Sequence, residues 1–414
     1  MDFLIAIDQF LSYIFDSFWN FILETGQFAL PKVMWKIFIS GGWIAYFLVF
    51  LWGLWQIWIY HIQKKFASRI KWIILSINAP RYNELSPETA ERLFAHLASA
   101  YKEPNLVERY IQGAFQLSFS FEIVSRGGEI FYFVRAPEQF RDLVKSAVYG
   151  AYPEAEISEV NEDYTASSPK EFPHPIYNLW GAELTLYNDE VYPIRTYTSF
   201  EYPSLKEFID PLAPFLEVLG KLGPQEQIWF QIIITPISSS WKKKGEKLVE
   251  KLMAEKTKIA VVGEEEGERV ITLSPGDRRV IDAIQKKISK IGFRTKIRLI
   301  YFAPKKDFSK PRGVSDTLGA LQQFNTLDMN GFKPDSKTKT QADYFFVKKR
   351  VARRQNKIIK NYINRSAGAG MAKFVLNIEE LATIFHFPVN AFKSPFIAKT
   401  SSRRGAPPSN LPLE

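Results

Sequence analysis

Phe115–Arg135, FQLSFSFEIVSRGGEIFYFVR, decides how the rest of the chain is read. Apolar and polar residues alternate from Phe115 to Val124, Arg126-Gly127-Gly128 supplies a turn, and EIFYFVR from Glu129 to Arg135 returns as a second strand. Upstream, Lys71–Asn78 (KWIILSIN) reads as a strand, and Ser86-Pro87-Glu88 opens a helix to Ala100, with a capping serine and a proline at the first helical position. Downstream, Pro137 begins a helix that carries Phe140, Leu143, Val144, Ala147 and Val148 on one side, and Glu154–Val160 closes as a strand. The order is βαββαβ, the ferredoxin-like plan, over residues 70–165.

Ala166–Pro175 reads as a linker into a second α+β domain over residues 176–340. There Glu183–Tyr187 and Tyr192–Tyr197 are expected to pair as a hairpin about Asn188-Asp189-Glu190. Ser204–Leu219 is expected as a helix interrupted by Pro211 and Pro214, and Gln227–Thr235 (QIWFQIIIT) is the most strand-like run in the chain. GEIFYFVRAPEQF, residues 128–140, has an echo in KIRLIYFAPKKDF, residues 296–308. Each is a strand closing on Ala-Pro with a phenylalanine three (Phe140) or four (Phe308) residues after the proline and a helix beyond, the second helix over Val314–Phe324. The echo implies two related units, the second split by a charged helical insertion over 241–292.

Ahead of both units, Ile37–Tyr60 (IFISGGWIAYFLVFLWGLWQIWIY) carries no charge and is long enough to cross a bilayer core of about 30 Å. Trp35, Trp55, Trp58 and Tyr60 near its ends suit the headgroup zone. Lys64, Lys65, Arg69 and Lys71 follow the run, while only Lys32 and Lys36 precede it closely. A single-pass anchor over 31–69 in the cytoplasmic (inner) membrane is therefore expected, with the bulk of the chain cytoplasmic. No cleavable leader pattern precedes it, so the anchor is expected to stay. Residues 1–30 plot as an amphipathic interfacial helix, with Phe3, Ile7, Phe10, Ile14 and Phe18 opposite Asp2, Asp8 and Asp16; a second span is the alternative.

A net charge of +10 with pI ≈ 9.3 leaves nucleic acid, anionic lipid or an acidic partner open. The strongest charge feature, YFFVKKRVARRQNKIIKNYINR after Asp343, is expected to form a helix within a 341–392 segment. Lys348, Lys349, Arg350, Arg353, Arg354 and Lys357 are its candidate contacts to DNA or anionic headgroups. The alternative is a solvated face with Phe346, Val347, Val351, Ile358 and Tyr362 packed inward. Ser366–Ala372 (SAGAGMA) is expected as a flexible break. Beyond it, Phe374–Leu376 reads as a strand, Asn377 as the cap of a short helix through Phe385, and 393–414 as an extended tail.

The composition excludes several chemistries. Without cysteine there is no disulfide framework, thiolate nucleophile or thiolate metal site. There is no GxxxxGK[ST] and no HExxH, and His61, His96, His174 and His386 are isolated in sequence. No catalytic residue, cofactor or metal is expected, and the chain is not expected to be an enzyme.

Three segments carry a resemblance: FEIVSRGGEIFYFVRAPEQFRDLVKSAVYGAYPEAEISEV, NGFKPDSKTKTQADYFFVKKR, and FVLNIEELATIFHFP followed by PPSNLP. They resemble the region ahead of the motor in conjugative, type IV secretion-like DNA-transfer ATPases, where a membrane segment and α+β domains precede a HerA/FtsK-like P-loop motor. The resemblance implies a non-catalytic membrane component of a DNA-translocation apparatus that recruits or positions a separate P-loop ATPase, since this chain has no Walker motif of its own. It also implies homo-oligomers, and docking of the ATPase through the C-terminal region, with Ile378, Glu379, Glu380, Leu381, Phe385 and Phe387 as the candidate contacts. A membrane-tethered nucleic-acid-binding module independent of any motor is the rival expectation, and a hydrolase with an unrecognised site is a third.

Overall fold

The computed structural model describes residues 30–78, 83, 85–202, 207–256, 258–262, 268–371 and 373–389. The expected amphipathic helix at the N-terminus and the extended tail over 393–414 lie outside them.

The apolar run is helical but broken. Helix α1 (Leu30–Ile37) is followed by a wide turn over Phe38–Gly42, and α2 (Trp43–Arg69) then runs for 27 residues. Ser40 and Gly41 leave the helical region, Gly41 at φ +110°, which a side-chain-bearing residue rarely adopts. Met34–Arg69 is long and apolar enough to cross a membrane, and none of its most apolar window is buried within the protein. Residues 104–115 pack with this helix and form one unit with it; the remainder from Ile70 onward forms the other.

The second unit is built on one sheet of nine strands, mostly antiparallel. Its first half contains β1 (Trp72–Asn78), α3 (Glu88–Leu97), β2 (Phe119–Arg126), β3 (Glu129–Pro137), α5 (Arg141–Ala151) and β4 (Glu156–Glu159); the short α4 (Leu106–Tyr110), between α3 and β2 in the chain, belongs to the other unit. Its second half contains β5 (Tyr177–Leu186), a small pair β6 (Glu201–Tyr202) and β7 (Glu207–Phe208), α6 (Ala213–Gly220) and β8 (Gln227–Pro236). There follow α7 (Lys242–Lys256), the hairpin β9 (Lys258–Val262) and β10 (Glu268–Thr272), α8 (Pro275–Ser289), β11 (Gly292–Pro304), α9 (Asp316–Leu321) and β12 (Phe332–Pro334). The chain ends its described part with α10 (Val347–Ile363), β13 (Phe374–Asn377) and α11 (Ile378–Ile384).

Across the sheet the strands run β12-β5-β11-β8-β2-β3-β1-β4, with β13 added beside β11. Each half therefore has its fourth strand at the rim, then its first, third and second, and the two second strands, β8 and β2, pair antiparallel at the centre. The two echoing segments fall on β3 and β11, the third strand of each half. The expected two domains thus share one continuous sheet.

Side-chain alternation sorts two layers. Ile228, Phe230, Ile232 and Ile234 of β8 join Phe119, Phe121 and Ile123 of β2 under α3, α5, α6, α9 and α11. Trp229 of β8 and Val124 of β2 face the other way, under α10 and the segment around Tyr164 and Phe172. Gln227–Thr235 reads as uninterrupted apolar sequence because the strand is buried on both faces.

Several local expectations fail for identifiable reasons. The hairpin about Asn188 does not form: β12 pairs with β5, and Asn330 Nδ2 donates to the carbonyls of Asp189 and Tyr192. Pro214 stands in the first turn of α6, where its missing N–H is not needed, so it starts the helix rather than interrupting it. Ser86 makes no side-chain cap; Pro87 precedes α3 in helical conformation. The 166–175 linker is partly packed, with Phe172 buried and its backbone held on both sides by the Asn356 side chain. The insertion contains the β9–β10 hairpin besides two helices.

Candidate polyanion-binding surface

Helix α10 is laid on the sheet by Gln355, Ile358, Ile359 and Tyr362, spaced at 3, 1 and 3 residues as one helix face requires. Ile358, Ile359 and Tyr362 pack on Trp229, Leu179 and Ile300, while Gln355 Nε2 donates to the Leu179 carbonyl at 2.7 Å. The opposite face follows automatically: Lys349, Arg353, Lys357 and Lys360, at spacings of 4, 4 and 3, form an exposed stripe of four cations.

The helix ends in a Schellman motif. The Arg365 N–H donates to the Tyr362 carbonyl at 2.9 Å and the Ser366 N–H to Asn361 at 3.0 Å. Arg365 occupies the left-handed position, φ +46°, that glycine usually takes. Its guanidinium explains the choice, because it turns under the helix and meets Glu122 of β2 twice, at 3.0 and 3.1 Å, and also Asp163. Tyr164 Oη donates to Glu122 at 2.7 Å and lies 2.8 Å from Tyr362 Oη.

Glu122 begins a polar row that crosses four neighbouring strands in register: Glu122 opposite Gln231, Gln231 opposite Arg298, Arg298 opposite Glu183. Gln231 Nε2 donates to Glu122 at 2.9 Å, Arg298 Nη1 to Gln231 at 3.1 Å, and Arg298 Nε to Glu183 at 2.9 Å. Arg298 and Lys296 also reach the carbonyl of Ala369, and the Met371 N–H donates to Glu183, so the expected flexible break is fastened to the sheet at Ala369 and Met371. Burial pushes the Glu122 carboxyl up, but the charge and hydrogen bonds of Arg365, with those of Ser120 and Tyr164, hold it below the usual range. Asp163 is likewise held down against its burial by Arg365 and Thr165. The signal for this row was present in sequence as a charged or amide residue with an apolar neighbour on each side in every one of the four strands: Glu122, Gln231, Arg298 and Glu183.

The six basic candidates divide. Lys348, Lys349, Arg353 and Lys357 are exposed. Arg350 Nη1 donates to the Asp343 carbonyl at 2.8 Å, and Arg354 Nη1 donates to those of Lys339 and Gln341, so these two hold the approach to the helix. Lys360 belongs to the stripe and was missed as a candidate, though its spacing from Lys357 and Lys349 gave it away.

The second miss is apolar. Phe346 and Val347, which the alternative reading of the helix packs inward, are turned out: Tyr344, Phe345 and Phe346 are 90%, 82% and 77% exposed, ahead of the first turn of α10. Tyr344 and Phe346 both take left-handed conformations, φ +68° and +53°, which aromatic residues adopt at a cost of about 1 kcal/mol or more. A rigid basic helix headed by three solvent-facing rings can bind a polyanion by charge and stack on bases or enter a headgroup layer with its rings.

The candidates for ATPase docking lie inside the fold. Glu379, Glu380, Leu381, Phe385 and Phe387 are buried and Ile378 packs against the core. Phe385 sits among Phe94, Phe121 and Tyr132, and Phe387 against Tyr132 and Tyr152. Asn377 and Glu380 form a reciprocal capping box, as expected, but Glu380 then pairs with Lys287 at 2.9 Å in full burial. Glu379 meets Lys286 and Lys290 at 2.9 and 2.7 Å. Apart from the partly exposed Ile378, these side chains are core residues and offer a partner no surface. His386 is buried too, Nδ1 against the Ala382 carbonyl at 2.7 Å and Nε2 against Asp210 at 3.0 Å. Among the described residues, no group of three or more His, Asp or Glu side chains is placed to hold a metal ion.

A family model described as a domain of unknown function, DUF8128, matches residues 76–400. No curated protein matches the chain.

Proposed function

The chain belongs to the DUF8128 family, and on that premise we propose that it is a non-catalytic, membrane-anchored component of a DNA-translocation apparatus of the type IV secretion kind. In this reading α2 fixes the protein in the cytoplasmic membrane, and the sheet body, on the cytoplasmic side that the basic residues after Tyr60 favour, presents DNA to a separate P-loop ATPase. The body is two duplicated ferredoxin-like halves joined through their second strands; the rim-first-third-second order in each half and the echo on β3 and β11 support that history.

The observation that carries the DNA contact is the stripe Lys349, Arg353, Lys357 and Lys360 headed by the exposed rings of Tyr344–Phe346. Cations that track phosphates beside aromatic rings that stack on bases are the two components of single-strand binding. Docking of the ATPase has support from the family resemblance alone, since five of its six candidate residues are buried and the sixth, Ile378, packs against the core.

Binding of a labelled single-stranded oligonucleotide to the full-length protein in detergent, measured across salt, tests the reading. Four phosphate contacts give a slope of log K against log salt near −3. Changing the four stripe residues to glutamine should abolish most of that slope, and Tyr344→Ser/Phe345→Ser/Phe346→Ser should weaken binding with the slope kept. The rings also suit a second reading in which anionic headgroups are the polyanion. Vesicles containing phosphatidylglycerol that bind through the stripe, with no oligonucleotide bound, would replace the first reading by the second.

A further inference from the structure

Residues 104–115 interrupt the first half of the sheet between α3 and β2, and they pack on the anchor helix. Trp58 Nε1 donates to the Tyr110 carbonyl at 3.3 Å, and the rings of Trp55 and Tyr110 lie 5.6 Å apart. Phe66 and Phe115 meet edge to face at 5.4 Å. Gly113, at φ +72°, brings the two backbones together: a Cβ there would fall 2.4 Å from the carbonyl carbon of Ile62. The contact therefore follows α2 from Phe66 back to Trp55, about 16 Å along the axis. Trp55 and Trp58 belong to the charge-free run that ends at Tyr60, so the segment passes the level of Lys64 and Lys65 and enters the apolar zone.

The short helix α4 is two-faced: Leu106, Val107 and Ile111 lie on one side of the helical projection, and Glu108 and Arg109 on the other. Leu106, Val107 and Ile111 are 74%, 53% and 65% exposed. At the start of the segment Asn105 accepts from the Glu108 N–H at 2.8 Å while Glu108 accepts from the Asn105 N–H at 3.0 Å. That reciprocal cap satisfies amide donors at the start of α4, as a low-dielectric setting demands.

We propose that Pro104–Phe115 is a second membrane contact, a short wedge that lays Leu106, Val107 and Ile111 into the leaflet occupied by the C-terminal end of the α2 apolar run. Its occupant is lipid, because its exposed apolar surface continues that of Trp55 and Trp58 on the helix itself. The wedge rests on the reading that α2 spans a bilayer. With it, the anchor enters the membrane as a rigid pair of elements joined by ring contacts and a backbone approach.

The sequence has no cysteine, so single nitroxide labels can be placed without background. Leu106→Cys and Ile111→Cys would be labelled in the full-length protein in phosphatidylcholine–phosphatidylglycerol vesicles. Val49→Cys on α2 and Leu327→Cys, fully exposed on the sheet body, serve as references. The ratio of collision with oxygen to collision with a water-soluble nickel chelate reads depth. At 106 and 111 it should exceed that at 327 several-fold and approach that at 49. Labels at 106 and 111 as wet as 327, with 49 dry, overturn the wedge and leave the span; a wet 49 overturns both. Labels at 106 and 111 shielded from both reagents mean that a protein surface covers them, which also overturns the lipid assignment.

Discussion

Arg365→Met should destabilise the sheet body by about 3–5 kcal/mol, the usual loss when one member of a buried ion pair is removed. Glu122 is fully buried, and Arg365 supplies both of its charge-assisted hydrogen bonds, at 3.0 and 3.1 Å. Ser120, Tyr164 and Gln231 would still donate, but none brings a charge. The pH dependence separates this cause from simple loss of packing. In the native protein the Glu122 carboxyl sits below its ordinary value, so its contribution is present above the ordinary carboxylate range and is lost as pH falls through the folded value. Without Arg365, burial is left to raise it. The sign then reverses, and stability falls as pH rises through the new folded value. Urea unfolding in detergent, followed by far-ultraviolet circular dichroism, should show the midpoint drop by about 1–1.7 M at neutral pH for an m-value near 3 kcal/mol/M. The drop should be smaller near pH 4. Arg365→Gly is the decisive companion, because glycine relieves the left-handed backbone at φ +46° while still removing the guanidinium. It should stay within about 1 kcal/mol of the methionine variant; an Arg365→Gly protein as stable as the parent would refute the reasoning.

Glu379, pulled down to about 2 by Lys290, Thr196 and Lys286 against its burial, stabilises the fold above the ordinary carboxylate value of 4.5 and ceases to as pH falls toward 2. Glu379→Gln should flatten that acid limb in a series of unfolding midpoints. Lys296 is lowered to about 8 by burial and by Arg298 and Lys373, against the pull of Glu183. The folded state therefore gives up this proton before the unfolded state does, and stability should rise with pH between about 8 and 10.5; Lys296→Met should remove that rise. Gly245→Ala places a methyl 2.4 Å from the side chain of Ile288, where α7 crosses α8. Hydrogen exchange should quicken in α7 and α8 while the β2–β8 pairing stays protected.

The first half of the fold was legible because its signals are local. Alternation, a Gly-Gly turn and helix starts fix β2, β3, α3 and α5 within a few residues of one another. The second half was less so, because its decisive partners are distant. Nothing near Asn188 reveals that β12, more than 140 residues on, will take the edge that a hairpin would have used. The stripe on α10 could be read from spacing alone, Lys360 included. The exposed rings could not, since YFFV has the composition of a core segment and only the left-handed turns at Tyr344 and Phe346 turn it outward.

The docking segment failed in the opposite sense, and the reason bears on the insertion. Two glutamates in a seven-residue helix look like a solvated face, yet α11 is buried from Glu379 to Ile384 and its counter-ions come from α8, some ninety residues earlier. Lys287 neutralises Glu380 and Lys286 and Lys290 neutralise Glu379. The 241–292 insertion, which reads as a charged appendage, is thus the source of three cations for the core. Splicing β8 directly to β11 would strand two buried carboxylates, one in full burial, so the shortened chain should unfold at markedly lower urea than the parent. Adding Glu379→Gln and Glu380→Gln to it should recover part of the loss. A shortened chain as stable as the parent would mean that α11 finds solvent by moving, and with it the surface originally sought there for a partner.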